Sequence, residues 1–220
     1  VATKVLHLMD AILFDLDNTL YPPERGLFSL IDVRINRYMQ EVAGIPAAAV
    51  DGLRRRYWAE YGVTLGGLIR HHGVDPEAYL EYVHDVDVDS RLAPDPGLRA
   101  VLQRLPQRKV VFTNGSRRHA ERVLAALGVT DQFEELFDIR IAAYRPKPYP
   151  EPYHQVVASL GLPASRCVMV EDSPENLRTA KSLGMRTVLV GTTTSTPSFV
   201  DVRIAAATGI GAVMGVAGCC

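Results

Sequence analysis

The sequence predicts a doubly wound α/β fold with a helical cap inserted after the first strand, and three observations carry that expectation. Short apolar runs rich in Val, Ile, Leu and Phe recur at 11–14, 109–112, 137–142, 167–170 and 187–190, as strands buried on both faces of a parallel sheet do. Helical patterns with clear start and stop signals fall between these runs. Residues 22–90 interrupt the alternation with long helical patterns and no convincing strand.

Taken in order, "AILFDLDNTLY" (11–21) opens the core as a strand that runs straight into Asp15 and Asp17. The inserted segment carries "LFSLIDVRINRYMQEVAG" and "EAYLEYVHDV", and the core resumes near "LAPDPGLRAVLQRL". In "SRRHAERVLAALG", Ser116 is a good N-cap, Val123, Leu124 and Leu127 make an apolar face, and Gly128 stops the helix. A further helix fills 152–160 and ends at Gly161. "SPENLRTAKSLG" repeats the design with Ser173 as N-cap, Pro174 at the first helical position and Gly184 as terminator. Strands and helices of these lengths in alternation give a Rossmann-like parallel sheet. The expected organisation is a discontinuous core of 9–21 and 91–201, a helical cap of 22–90, and an apolar C-terminal tail of 202–220.

At 220 residues, with 47% hydrophobic and 22% charged residues, the chain suits one sizeable domain carrying an insertion. A net charge of −1 without a long basic run argues against a nucleic-acid partner. Three cysteines, two of them adjacent at the end (Cys219 and Cys220), make no disulfide framework, so a reducing cytoplasm is the expected location. "VATKVLHLMD" lacks the long apolar stretch of a secretory signal, and residues 1–8 are open to being an upstream extension of a start at Met9. Residues 204–220 carry no charge, but they are glycine-rich, short for a span and without a flanking anchor, so no membrane partner is expected. Beyond about Val190 the pattern offers at most a short strand near 200–204, and the tail reads as frayed, its terminal cysteines lipidated, metal-binding or inert. "GIGAVMG" is discounted as a dinucleotide loop because no strand–turn–helix unit surrounds it.

In an open α/β sheet, ligands bind beyond the carboxyl ends of the strands, and polar residues fall there repeatedly. The first strand ends in Asp15 and Asp17, with Thr19 two residues on. The 109–112 strand ends in Thr113, Asn114 and Gly115. "YRPKPYPEPY" brings Lys147, and the 167–170 strand ends in Glu171 and Asp172. Singly, each has a plainer explanation: a helix cap, a turn, a solvated loop lysine. Together they place carboxylates, a hydroxyl and an ammonium on one sheet edge. Two carboxylates as close as Asp15 and Asp17 repel, and a metal ion is the natural partner for them.

The ordered set "DLDNT", "TNG", "KPYPEPY" and "VEDSPEN" resembles the four motifs of the haloacid dehalogenase superfamily over about Ile12–Gly191. Within it, "YWAEYGVTLGGL" (57–68) is similar to the helical cap of pyrimidine 5′-nucleotidases. The resemblance implies a phosphatase that uses Mg²⁺ and acts on a small phosphorylated metabolite, and the similarity of the cap points to a pyrimidine nucleoside 5′-monophosphate. Asp15 would be the nucleophile and form an aspartyl phosphate; Asp17 would be the general acid and then base. Mg²⁺ would be held by Asp15, Asp172 and the main-chain carbonyl of Asp17. Thr113, with the N–H groups of Asn114 and Gly115, would bind phosphoryl oxygens, and Lys147 would add positive charge. Glu171 would hold a water at the metal or orient Lys147, Asn176 would fix the metal loop, and Thr19 would stabilise the turn after Asp17. Tyr57 and Tyr61 are candidates to stack on a base or ribose, with Gly62, Gly66 and Gly67 allowing close approach; packing and turns are the plain alternative. The dehalogenases lack the metal and the second aspartate, so Asp17 with Glu171–Asp172 argues for phosphate over halide. A phosphomutase acting on a sugar phosphate and a non-catalytic binding protein are the rival readings.

Overall fold

The computed structural model describes Leu6, residues 8–192 and residues 196–216; of the stretch 1–8 all but Leu6 and Leu8 lie outside these, as do Cys219 and Cys220. Six strands, β1 (Ala11–Phe14), β2 (Arg108–Phe112), β3 (Glu135–Phe137), β4 (Cys167–Glu171), β5 (Arg186–Val190) and β6 (Val202–Ile204), form one sheet in the order β3-β2-β1-β4-β5-β6. All neighbours run parallel. The chain winds outward from β1 to β3, then returns to the other side of β1 and winds outward again. The point where the winding reverses lies between β1 and β4, and a ligand crevice opens beyond such a point at the carboxyl ends of the strands.

Side-chain alternation assigns the two faces of this sheet. Ile12 and Phe14 of β1 turn to one face with Val111, Val168 and Val188, covered by α5 (Pro96–Arg104) and α6 (Arg117–Leu127) through Val101, Leu102, Val123 and Leu124. Ala11 and Leu13 turn to the other with Val110 and Met169, covered by α7 (Pro150–Leu160) and α8 (Pro174–Ser182) through Tyr153, Val156 and Leu177. Helix starts are chemically specified. Asp95 accepts a hydrogen bond from Leu98 N (2.8 Å) with Pro96 following it. Ser116 accepts one from His119 N (3.3 Å). Ser173 precedes α8 but makes no such bond; Pro174 and Glu175 start that helix instead.

Between β1 and α5 lie four helices, α1 (Leu27–Glu41), α2 (Ala47–Tyr61), α3 (Thr64–His72) and α4 (Pro76–Val83), and no strand. They pack on one another through apolar residues such as Ile31, Met39, Leu65, Leu68 and Leu80. Tyr38 of α1 meets Tyr79 of α4 edge to face at 5.1 Å.

Two expectations need correction. The apolar run at 137–142 is not a strand beyond Phe137: Asp138 caps a 3₁₀ turn over Ile139–Ala142 by accepting from Arg140 N (3.1 Å). The strand is set earlier, at Glu135–Phe137, where it can reach β2. The tail is not frayed over 202–216. β6 pairs with β5, and a short helix α9 (Ile210–Val213) buries Ile210, Val213 and Met214 in the same apolar cluster as α5. Asp201 fixes the entry to β6, bound by Lys181 Nζ (2.6 Å) and Thr187 N (3.0 Å). No helix among the described residues is long and apolar enough to cross a membrane.

Candidate active site

Asp15 follows the last residue of β1, and its N–H still joins the ladder by donating to Val170 O (2.9 Å). Thr113 does the same on the neighbouring strand, donating to Phe137 O (2.9 Å). The sheet thus carries both side chains rigidly to its edge. After Asp17 the chain doubles back: Asn18 takes φ +63°, and Thr19 N and Leu20 N both donate to Leu16 O, at 3.3 and 3.0 Å. Asparagine is among the few side chains that tolerate this left-handed conformation. The main chain therefore closes the turn, while the Thr19 hydroxyl is buried without a partner among the described residues.

Lys147 is 1% exposed, and its ammonium is fully used. Nζ donates to Asp15 Oδ1 (2.7 Å), to Phe112 O (2.7 Å) and to Glu171 Oε2 (2.9 Å). Asn114 secures the loop that delivers it: Nδ2 donates to Lys147 O (2.9 Å), and Lys147 N donates to Asn114 Oδ1 (2.8 Å). Glu171 also accepts from Ser173 N (3.2 Å), so one carboxylate ties Lys147 to the loop after β4. Gly115 N donates to Thr113 Oγ1 (2.9 Å), folding the Thr113–Gly115 segment tightly. Asn176 is buried in the first turns of α8, its carbonyl accepting from Tyr153 of α7 (2.8 Å).

Oxygen atoms of Asp15, Glu171 and Asp172 come within 4.8 Å of one another. Three carboxylates face one ammonium, and the shortage of positive charge shows in their proton affinity. Burial first, then the charge of Glu171, pushes Asp15 up to about 7 against the pull of Lys147. Burial pushes Glu171 to about 7 and, together with Asp15, Asp172 to about 6. Hard oxygen donors with surplus negative charge fit a divalent cation such as Mg²⁺.

Asp17 sits differently. His119 Nε2 lies 2.8 Å from its Oδ1, and Tyr21 donates to the same oxygen at 2.5 Å. Burial pushes the Asp17 carboxyl up, but His119 beside it and the Tyr21 hydroxyl outweigh that and hold it below the usual range. His84, in the segment that leads back from α4 to the core, stacks on His119 at 4.6 Å and 17°. Burial pushes the His84 imidazole down to about 3. His119, Tyr21 and His84 were not singled out by the sequence. Tyr21 stands four residues after Asp17 and His119 three after a helix cap, spacings that mean little until the sheet edge is built.

Besides His84, the helical segment reaches this site at the end of α2. Gly62, with φ +77°, ends α2 so close to the lysine loop that an added Cβ would lie 3.2 Å from Pro146 Cγ and 3.4 Å from Lys147 O. Tyr149 donates to Glu60 O (2.8 Å) beside it. Tyr57 lies elsewhere: 2% exposed, its ring fills the space where a Gly67 side chain would be, and its hydroxyl meets His72 Nε2 (2.9 Å). That is packing, and no ring face is left for a ligand. Tyr61 is half-buried against Gly66, with its hydroxyl 2.8 Å from His71 Nε2.

With that geometry in hand, comparison with known proteins assigns the family. A profile of the haloacid dehalogenase-like hydrolases matches residues 9–184, and the chain belongs to that family; it is a hydrolase of the parallel α/β type. It is 30% identical over 202 residues to a phosphoglycolate phosphatase of Rhodospirillum rubrum, covering 82% of this chain and 78% of that one. It is 28% identical over 191 residues to phosphate metabolism protein 8 of Saccharomyces cerevisiae, covering 80% of this chain but only 60% of the yeast protein's length. Among solved structures, CbbY from Rhodobacter sphaeroides in complex with phosphate has the same fold, with a TM-score of 0.67 at 23% identity over 94% of this chain and all (100%) of that one.

Proposed function

We infer that this hydrolase is a phosphatase that cleaves a small phosphate monoester through an aspartyl-phosphate intermediate. One observation carries the reading: Asp15, at the end of the central strand, is held by a buried lysine while a second aspartate two residues on is held separately by His119 and Tyr21. Two carboxylates in distinct environments can take distinct roles. Asp15, oriented by Lys147, attacks phosphorus in line. Thr113 and the N–H groups of its loop receive the phosphoryl oxygens, with Lys147 beside them. Asp17 gives a proton to the leaving oxygen and takes one from the water that hydrolyses the aspartyl phosphate. The approach of an anionic phosphate raises the proton affinity of Asp17, which helps the first of these steps. Asp15, Asp172 and the carbonyl of Asp17 would hold Mg²⁺, with Glu171 close by. When bound, the ion offsets the repulsion between anionic nucleophile and anionic substrate.

For the substrate we propose a pyrimidine nucleoside 5′-monophosphate, selected by the helical segment near the end of α2, where Glu60 and Gly62 approach the lysine loop and Tyr61 lies next in the chain. Relatives that include phosphoglycolate phosphatases and, at 23% identity over 86% of this chain, a probable pseudouridine-5′-phosphatase of Drosophila melanogaster support a small phosphorylated metabolite. The test is phosphate release with and without Mg²⁺ from UMP, CMP, dUMP, AMP, GMP, pseudouridine 5′-phosphate, phosphoglycolate and hexose phosphates, with Asp15→Asn as the blank. Preference for UMP and CMP is expected. Metal-dependent release from another class keeps the chemistry and discards the nucleotide reading. Interconversion of a hexose phosphate without phosphate release overturns both.

A further inference from the structure

The two partners of Asp17 bind the same atom. His119 Nε2 and Tyr21 Oη both reach Oδ1, at 2.8 and 2.5 Å, and no hydrogen bond from a described residue reaches Oδ2. Two donors on one oxygen fix the rotation of the carboxyl group and occupy that oxygen's lone pairs. The imidazole is itself held in place. It is fully buried, its Nδ1 has no partner among the described residues, and an N–H there would be an unsatisfied donor. The ring therefore carries its proton on Nε2, aimed at Asp17. Above it lies His84, whose Nδ1 faces Leu80 O (3.0 Å) and Ser116 Oγ (3.1 Å). Arg122 of α6 pins the His84 main chain by donating to His84 O (3.2 Å) and Val86 O (2.5 Å).

We propose that His119, with Tyr21, is a positioning residue that assigns proton transfer to Oδ2 of Asp17, and that His84 clamps the His119 ring from the segment joining the helical insertion to the core. The inference rests on the phosphatase reading. In the first step the Oδ2 proton passes to the leaving oxygen as its bond to phosphorus breaks and the bond from Asp15 forms. In the second, water attacks phosphorus, its proton goes to Oδ2, and Asp15 departs as a carboxylate with inorganic phosphate. Without the two donors the carboxyl group rotates, and Oδ2 spends less time facing the reacting oxygen.

The test compares wild type with His119→Leu, His119→Gln and Tyr21→Phe on p-nitrophenyl phosphate and benzyl phosphate. The nitrophenolate ion leaves without a proton; the benzyl oxygen does not. For His119→Leu, turnover of benzyl phosphate is expected to fall on the order of 100-fold at unchanged KM. Single-turnover release of nitrophenolate, with enzyme in excess, should stay within about twofold of wild type, while multiple turnover of the same ester falls because the second step needs Oδ2 as base. His119→Gln, which keeps a donor at that position, should recover much of the loss. Tyr21→Phe should show the same pattern at roughly tenfold. Equal loss on both esters in the single-turnover step, or a folded Gln variant no better than Leu, overturns the positioning role and leaves the phosphatase standing. If His119→Leu fails to fold, the Gln and Phe variants decide alone. No phosphate release by folded wild type from either ester overturns the phosphatase reading and this inference with it.

Discussion

Lys147 Nζ and Asp15 Oδ1 lie 2.7 Å apart with both side chains buried, and the same ammonium also holds Glu171 at 2.9 Å. Removing one partner of a buried ion pair leaves the others uncompensated, at about 3–5 kcal/mol. Lys147→Met is therefore expected to abolish turnover and to destabilise the fold by an amount that depends on pH. Near pH 5 the carboxyl groups can take up protons, so the loss should be small; near pH 8 they are charged, and it should approach the full figure. Urea titrations at the two pH values check this, and an equal loss at both would contradict it.

The carboxylate cluster makes a second pH-dependent prediction. Asp15 and Glu171 are raised to about 7 and Asp172 to about 6. A carboxyl group whose affinity for protons is higher folded than unfolded binds more protons in the folded state, so its contribution to stability falls as pH rises from about 4 to about 7 and is then constant. A bound cation requires the ionised groups and reverses that loss. The increase in Tm on adding Mg²⁺ should thus be small at pH 5.5 and large at pH 8. Asp172→Asn should remove most of it. A pH-independent increase, or one that survives in Asp172→Asn, would count against the cluster as the metal site.

Asp15→Asn and Asp17→Asn should each lower turnover by about 1,000-fold or more while circular dichroism remains that of wild type. Neither change alters the volume of the side chain, so loss of fold would indicate that the carboxylates serve structure rather than chemistry. The groups that hold the two residues differ, and so should the intermediate: acid quench after mixing with p-nitrophenyl phosphate, whose leaving group needs no proton, should find phosphoryl-enzyme in the Asp17→Asn variant and none in Asp15→Asn.

How much of this could be read from sequence follows from where the information resides. Asp15, Thr113, Lys147 and Glu171 were legible because each ends or follows a buried strand or sits in a proline-flanked loop, and one sheet edge must gather them. The contacts of Asp17 were not. Tyr21 and His119 are separated by most of the β1–α6 connection, and His119 occupies a buried position on a helix whose other inward residues are apolar. The strand boundary at Phe137 was missed because Ile139 remains buried in the 3₁₀ turn, so apolar character outlasts the extended backbone. Tyr57 had the chemistry of a stacking residue, and only its contact with Gly67 reveals it as packing.

That contact can be measured. A Cβ built on Gly67 falls 2.0 Å from Tyr57 Cγ, inside the ring of a fully packed side chain. Gly67→Ala should cost about 1–3 kcal/mol through overpacking, seen as a lower Tm, even though alanine is the better helix former. Tyr57→Phe, which only releases His72, should cost about 1 kcal/mol and leave substrate preference unchanged. A shift in preference with either variant would restore Tyr57 as a substrate contact.

The C-terminal segment gives the last prediction. Ile210 is fully buried, Met214 nearly so, and an added Cβ on the neighbouring Gly211 would come within 2.7 Å of Val101 on α5. A glycine here lets the segment approach the helix backbone to helix, which explains why a run without charge or strong periodicity still joins the core. Ile210→Ala is expected to cost about 2–4 kcal/mol. Its KM and kcat below the melting range should stay within about twofold of wild type, because the residue touches none of the site. Limited proteolysis should cut wild type slowly within 202–216 and the variant rapidly. Rapid cleavage of wild type there with activity retained would mean that the segment is dispensable, and that the core ends with β5.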